Sequence, residues 1–265
     1  MITFIIPIKS KQVSTDWPYF CKLYERTLKS IFNQTNENFN VLAVCHEIPE
    51  IEFKHHKLHY LQVDFEPPST NINNKRKNLL QKRIDKAKKL KEGAQFCIKH
   101  YSSEYVMTVD SDDFISNKIA AFISNYLNTP NKSVPGWYVK FGYIYFENRN
   151  LLVKTRKFNE LCGSSLIVKP DLIIYFVDFN SNVVFHHQKT NLNNHITLQK
   201  LPFRGGIYDL INGENTRMDI SEVKRVNRHR DWASKAGLYR LYKKIQNYRP
   251  AFITEKLRKE YNFYN

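Results

Sequence analysis

The stretch Tyr105-Val-Met-Thr-Val-Asp110-Ser-Asp112-Asp113-Phe114 decides how the rest of the chain is read. An apolar, β-branched run ends in three carboxylates within four positions, and polar Ser102, Ser103 and Glu104 precede it. So short a run predicts a buried strand. Residues two apart in an extended chain face the same side, so Asp110 and Asp112 are expected to converge while Ser111 points away. Like charges held that close repel and are costly to desolvate. A hard divalent cation, Mg²⁺ or Mn²⁺, removes the conflict, because it prefers oxygen ligands and often combines one or two carboxylates with phosphate oxygens. The plainer alternative is a solvated turn in which Asp113 or Ser116 caps the following helix.

Working outward, Thr3 to Ile8 is apolar on both faces, as in the middle of a covered sheet, and Pro7 marks its end. Ser14, Thr15 and Asp16 are candidate caps for a helix with Pro18 in its first turn. Phe20, Leu23, Thr27, Leu28, Ile31 and Phe32 fall on one face of it. Phe39 to Cys45 is a second strand, which makes a β-α-β unit with parallel strands and a right-handed crossover. Leu58 to Val63 is a third. A long amphipathic helix, basic on its outer face, then runs to Tyr101, and another covers Ile119 to Leu127. Gly136 to Phe146 is expected as one aromatic strand. Leu151 to Thr155, Ser164 to Val168 and Gly206 to Ile211 are further strand candidates.

The chain has 265 residues, enough for one large domain with a small appendage. A hydrophobic fraction of 42% argues against disorder. Against 25 Asp and Glu stand 41 Lys and Arg, and the resulting +16 attracts polyanions, anionic lipid or phosphorylated substrates without choosing among them. Cys21, Cys45, Cys97 and Cys162 are widely separated and form no zinc spacing; three of them sit in apolar or helical contexts that predict buried free thiols, and a cytoplasmic, reducing setting is expected. No secretory signal is expected at Met1 to Ile8, and no run approaches the ~18 apolar residues of a membrane span.

Three stretches occur here in a known order: Phe4-Ile-Ile-Pro7, then Tyr24-Glu-Arg-Thr-Leu-Lys-Ser-Ile-Phe-Asn-Gln-Thr35 with Phe39-Asn-Val-Leu-Ala-Val44, then Val109-Asp-Ser-Asp-Asp-Phe114. This order resembles the nucleotide-sugar glycosyltransferases of the GT-A fold, family 2-like group. The likeness covers about residues 1–128 and extends weakly to Asn215. It implies an α/β fold with a mixed, mostly parallel sheet flanked by helices. Residues 1–220 would be the catalytic domain, with a nucleotide-binding half (1–128) and an acceptor half (129–220). Residues 221–265 would be a basic helical extension. It also implies a sugar transfer, inverting in many relatives, from a nucleoside diphosphate donor (a UDP-sugar first among them) to a glycan or lipid-linked acceptor.

On this resemblance Asp110 and Asp112 hold the cation, with Asp112 the first choice as direct ligand, Asp110 and Ser111 near the nucleotide, and His229 a candidate late ligand. Pro7, Ile8, Lys9, Glu47 and Asp85 would line the nucleotide crevice at the strand ends. Asp85 has a second reading, an i, i+4 pair with Lys89. The general base is sought in His187 or Glu214, with His186 and Asp178 behind them. Cys162-Gly163-Ser164-Ser165 would be a small-residue floor, and Trp137, Tyr138 and Tyr143 would stack on acceptor sugars. Two departures stand out. Glu47 replaces the usual aspartate pair after the second strand, and Phe185-His-His-Gln188 stands where relatives carry Glu-Asp.

Rival classes are a haloacid-dehalogenase-like phosphatase and a basic nucleic-acid-binding protein. The first normally carries its acidic strand near the start of the domain, and no nucleic-acid motif supports the second. A nucleotidyltransferase would need a glycine-rich loop after the first strand, where Lys9-Ser-Lys-Gln-Val13 stands. The basic, aromatic C-terminal segment is a candidate for peripheral contact with an anionic membrane or for an oligomer interface.

Overall fold

The computed structural model describes residues 1–69, 74–130, 133–193, 196–210, 212–214 and 246–263. Strand β1 (Ile2–Pro7) is buried along its whole length. Asp16 caps helix α1 (Trp17–Ile31) by accepting from Tyr19 N at 3.0 Å, with Pro18 in the first turn. Strands β2 (Phe39–Cys45) and β3 (Leu58–Gln62) follow, then helix α2 (Lys75–Phe96), which passes through a π-type turn at Cys97–Tyr101 instead of continuing as regular helix to Tyr101. Strand β4 (Tyr105–Thr108) leads to the acidic turn, a short strand β5 (Phe114–Ile115) and helix α3 (Ile119–Leu127). Lys118 precedes α3 without a side-chain cap, so neither Asp113 nor Ser116 caps it.

The expected aromatic strand is two strands. Residues β6 (Gly136–Tyr138) and β7 (Phe141–Phe146) part at Val139-Lys140 and join different sheets. The chain continues through β8 (Leu151–Thr155), α4 (Phe158–Leu161), β9 (Leu166–Val168) and the small pair β10 (Asn191–Asn193) and β11 (Ile196–Thr197). The last elements are β12 (Gln199–Lys200), β13 (Arg204–Leu210), β14 (Tyr248–Ala251) and helix α5 (Glu255–Tyr261).

The main sheet has the order β12-β6-β9-β4-β1-β2-β3. Strands β3, β2, β1 and β4 are parallel, and β9 is antiparallel to both of its neighbours. Helices pack against it, α1 and α3 over a core that includes Phe4, Tyr24 and Met107, and α2 over one that includes Ile5, Leu42 and Leu90. This mixed, mostly parallel sheet between helices is the fold class that the resemblance implies. A second sheet, β14-β8-β7-β13-β5, begins where the acidic turn ends.

The Ser30 to Thr35 motif ties these parts together. Ser30 Oγ accepts from Ile115 N at 3.0 Å. Gln34 bridges Ser116 O (2.9 Å) and Ala120 N (2.8 Å), and Thr35 N reaches Asn117 O at 2.9 Å. The motif is therefore a backbone clasp that fixes the chain leaving the acidic turn, satisfying polar groups that would otherwise be buried unpaired.

Residues 246–263 do not stand apart as a helical extension. Strand β14 pairs with β8, and Leu257, Tyr261 and Phe263 pack with Phe114, Tyr145 and Leu152. Residues 221–245, which carry the membrane and oligomer readings, lie outside the described residues. Among the described residues no helix is long and apolar enough to cross a membrane. All four cysteines are free and buried. Trp137 is 2% exposed and rings against Tyr105, Phe122 and Tyr126, so it is core rather than a sugar platform.

Gly136 gives a direct test of the β6–β9 junction. Its φ is +149°, and a Cβ there would lie 2.1 Å from Ile167 O, a backbone atom held in the sheet. Gly136→Ala should destabilise the protein by about 2–3 kcal/mol, as overpacking and strain combine, read as a fall in the denaturation midpoint with an unchanged denaturant slope.

Candidate active site

One cleft opens over the carboxyl ends of β1 and β4. It is lined by Pro7, Ile8 and Lys9 from β1, by Lys82, Arg83, Asp85 and Lys86 from α2, and by Asp110, Ser111 and Asp112 from the acidic turn. Gly163, Phe185, His187, Tyr208 and Glu214 close the other side. Ten of the residues singled out in the sequence thus meet across one opening: Pro7, Ile8, Lys9, Asp85, Asp110, Ser111, Asp112, Gly163, His187 and Glu214. This is where ligands sit in open α/β sheets, outside the carboxyl ends of the strands.

The acidic turn is built from its buried member. Asp113 is fully buried and accepts from Cys162 Sγ (2.9 Å), Ser164 Oγ and Asp209 N (3.2 Å). Burial, and then the neighbouring Asp112 and Asp110, hold its carboxyl well above the usual range. Asp110 N donates to Ser164 Oγ at 2.7 Å, and Thr108 Oγ1 donates to Gly163 O at 2.8 Å. The Cys162–Ser165 floor is thereby bonded to the turn, and Gly163 lies against it. A Cβ on Gly163 would fall 2.8 Å from Asp110 Oδ2 and 2.7 Å from Lys86 Nζ.

With Asp113 turned inward, Asp110 and Asp112 face the cleft. Asp110 is ion-paired to Lys86. Asp112 accepts from Asn212 Nδ2 at 2.9 Å, and burial followed by the Asp110 charge pushes its pKa up. Two hard oxygen donors at one opening, one of them raised in pKa by the other's charge, fit a divalent cation. Among the described residues no three His, Cys, Asp or Glu side chains gather as a full cage. The protein's share of such a shell would be Asp110 and Asp112, with phosphate and water supplying the remainder, a common arrangement for Mg²⁺.

The cleft is also basic. Lys9, Lys82, Arg83 and Lys86 all line it. Burial and then the nearby Lys9 lower the Lys82 pKa, a sign of positive charge gathered where water is scarce. Anionic ligands relieve that field.

Other carboxylates have structural tasks. Glu214 accepts from Lys9 Nζ (2.7 Å), Ser14 Oγ (3.1 Å), Thr15 N (3.0 Å) and Asp16 N (2.9 Å). Although burial opposes it, these donors leave its pKa lowered. A carboxylate so saturated is a clamp on the loop after β1, and a poor proton acceptor compared with His187. Glu47 does not reach the cleft wall. It accepts from Ser10 Oγ (3.1 Å) and Lys11 N (3.3 Å), because the turn after β2 directs it back to the same loop.

Asp85 lines the cleft, but its oxygens are taken by His46 Nε2 (2.6 Å) and Lys89 Nζ (2.7 Å). Lys89 is fully buried and also donates to Ile8 O at 2.8 Å, and burial lowers its pKa against the pull of Asp85. The i, i+4 pair is present, buried instead of solvated.

His187 is 6% exposed, and its Nδ1 pairs with Asn159 O at 2.8 Å. A carbonyl requires Nδ1 to carry the proton, so in the neutral ring Nε2 is the basic nitrogen. His186 bonds through its backbone to Phe176 O (2.7 Å) and does not line the cleft, nor does Asp178. His229 lies outside the described residues. Tyr138 and Tyr143 lie away from the cleft, while Tyr208 lines it.

Three contributors were not singled out in the sequence. Asn212 reaches Asp112 across a separation of 100 residues, with no local signal. Arg26 donates to Asp112 O (3.4 Å), pairs with Asp209 and stacks on Phe114, 4.6 Å from the ring centroid. Burial, opposed by Arg26, pushes Asp209 up to about 7. Arg26 did leave a trace, a charged residue three after Leu23 and four before Ser30 on the buried face of α1, which requires a buried partner.

Among solved structures, the chain is similar in fold to Staphylococcus aureus TarS 1-349, with 14% identity and a TM-score of 0.40 over 78% of this chain and 60% of that one. It spans about 60% of the length of that structure. It is also similar to Francisella tularensis 2-C-methyl-D-erythritol 4-phosphate cytidylyltransferase, with 11% identity and a TM-score of 0.40 over 86% of this chain and 99% of that one. A Desulfovibrio desulfuricans G20 structure described as a nucleotide-diphospho-sugar transferase matches at 10% identity and a TM-score of 0.37, over 92% and 95%. No family model and no curated protein sequence matches the chain. The account of the site rests on this chain's own strand order and side chains.

The Glu214 clamp carries a pH signature. Its folded pKa is depressed, so the stability it contributes is full above the ordinary glutamate value of about 4.3 and is lost as pH falls from there through the folded value. Glu214→Gln should cost about 2–3 kcal/mol at pH 7, and the gap to the parent should narrow below about pH 4.3 in urea titrations at several pH values.

Proposed function

We propose that this chain is a metal-dependent glycosyltransferase that moves a sugar from a nucleoside diphosphate donor, a UDP-sugar in the first instance, to a hydroxyl of a glycan or lipid-linked acceptor. The observation that carries the reading is the pairing of Asp110 and Asp112 with Lys9, Lys82, Arg83 and Lys86 across one cleft. Acidic side chains alone would repel a pyrophosphate, and lysines alone would bind any anion. The combination selects a ligand that brings phosphates together with a cation.

A divalent cation at Asp110 and Asp112 supplies Lewis-acid stabilisation of the leaving diphosphate. The chain's own residues do the rest. Lys82 and Lys86 add positive charge where the leaving group becomes more negative, in a site walled by Phe185 and Tyr208 that holds back water. Gly163 lets the donor approach the backbone beside Asp110. His187 Nε2 takes the acceptor's O–H proton as the new C–O bond forms. The bond from the sugar to the phosphate oxygen breaks, and the nucleoside diphosphate leaves with the electron pair. The Asn159 carbonyl holds the ring's other N–H and stabilises the imidazolium produced.

A thermal-shift screen of nucleoside diphosphates with and without Mn²⁺ tests the binding step. Metal and nucleotide together should stabilise the protein by about 2.7 kcal/mol at a hundredfold excess over Kd, and Asp112→Asn should abolish the joint effect. Equal shifts with EDTA present would sink the metal reading. With donor and acceptor supplied, the product should be nucleoside diphosphate; released pyrophosphate would identify nucleotidyl transfer instead, and free phosphate a phosphatase.

For the base, His187→Gln should lower kcat by about 10²–10⁴-fold with little change in donor KM. A kcat within threefold of the parent would remove His187 from that role.

A further inference from the structure

The cleft already holds a cation on one of its two outward carboxylates, and it is a side chain. Lys86 Nζ is ion-paired to Asp110 Oδ1. The pair sits against Gly163, where even a methyl group would lie 2.7 Å from Nζ and 2.8 Å from Asp110 Oδ2. A metal ion bound at Asp110 would meet the Lys86 ammonium on the same carboxylate, and two cations that close repel.

We propose that Lys86 is a resident competitor for the divalent cation: it holds Asp110 in the empty site, and cation binding transfers it from Asp110 to a donor phosphate. The proposal rests on the metal-dependent donor binding put forward above. Charge accounts for the direction of exchange. One ammonium neutralises one of the two carboxylates, whereas a divalent ion neutralises both and returns a positive charge to the cleft. The other basic groups of the wall have different partners: Lys9 is held by Glu214, Lys82 by the Val13 carbonyl at 3.3 Å and Arg83 by the Asn182 carbonyl at 2.6 Å. Lys86 is the cleft cation whose partner is a carboxylate that the metal also uses. Its flexible four-carbon stem allows the swing, and the Phe185 ring, 5.8 Å from Nζ, borders the space it moves through.

Two consequences follow. The site should bind free metal weakly, because the ion must displace Lys86. Metal and nucleoside diphosphate should also promote each other's binding, since the ion releases a phosphate-binding lysine, and that coupling is reciprocal. A lysine with a purely structural role would not do both.

The test is Mn²⁺ titration of the full-length protein, reading free Mn²⁺ by electron paramagnetic resonance, followed by UDP titration at saturating Mn²⁺. Parent, Lys86→Met, Lys86→Gln and Asp110→Asn are compared. Lys86→Met keeps the length of the stem, and Lys86→Gln decides the matter if the methionine variant does not fold. Removal of the ammonium should tighten Mn²⁺ binding without nucleotide about tenfold and weaken UDP binding in Mn²⁺ about tenfold, within the usual range of coupling between sites. General damage would weaken both. If parent and Lys86 variants bind Mn²⁺ equally, through Asp110 and Asp112, the competition is overturned and the metal site stands. If the parent and Lys86 variants show no Mn²⁺ binding, with or without UDP, the metal reading falls and the competition falls with it.

Discussion

A single buried carboxylate organises this molecule. Asp113 has no exposure, and polar oxygens in such a place are tolerable only when hydrogen-bond partners surround them. Its donors come from two distant parts of the chain, Cys162 and Ser164 beyond α4 and the backbone of Asp209 in β13. Drawing these together joins the main sheet to the second sheet at the point where β4 ends. It also decides the geometry of the neighbours. With Asp113 committed inward, Asp110 and Asp112 have the cleft as their remaining direction, and the Ser30 to Thr35 clasp fixes the chain that leaves the turn.

The cleft contains carboxylates of two kinds, and the number of donors each receives separates them. Glu214 and Asp85 are spent on backbone N–H groups, lysines and a histidine, and through those partners they hold the ends of β1 and α1 in place. Asp110 and Asp112 line the cleft, where Lys86 is paired to the first and Asn212 donates to the second. The same logic applies to the basic groups. Lys89 is locked beneath the site by Asp85 and the Ile8 carbonyl, whereas Lys82 and Lys86 reach the opening. A cleft with acidic and basic side chains is the observation on which the proposed metal–diphosphate ligand rests.

Much of this was legible in the linear chain. The apolar runs of β1, β2 and β4 and the 3.6-residue stripe of α1 follow from local burial, and their order gave the parallel sheet and placed the acidic turn at its edge. Asp110 and Asp112 share one opening, but not through strand alternation: β4 ends at Thr108, Asp113 N closes a turn onto Asp110 O, and Ser111 lines the cleft with them. Burial of three of the cysteines was expected from their apolar or helical contexts, and the structure buries all four. The aromatic run from Gly136 was misjudged because β-propensity says nothing about which sheet a strand joins, and the break at Val139-Lys140 is decided by pairing with β9 and β13.

The sequence by itself determined the strands and helices of the first half, their order and the acidic turn, because these depend on neighbours a few residues away. The tertiary structure alone decided which carboxylates are clamps and which face a ligand, that Asn212 and Arg26 reach Asp112, and that Lys86 occupies Asp110. Those roles depend on donors arriving from segments up to 205 residues distant, as Lys9 does at Glu214, and no local pattern encodes such meetings.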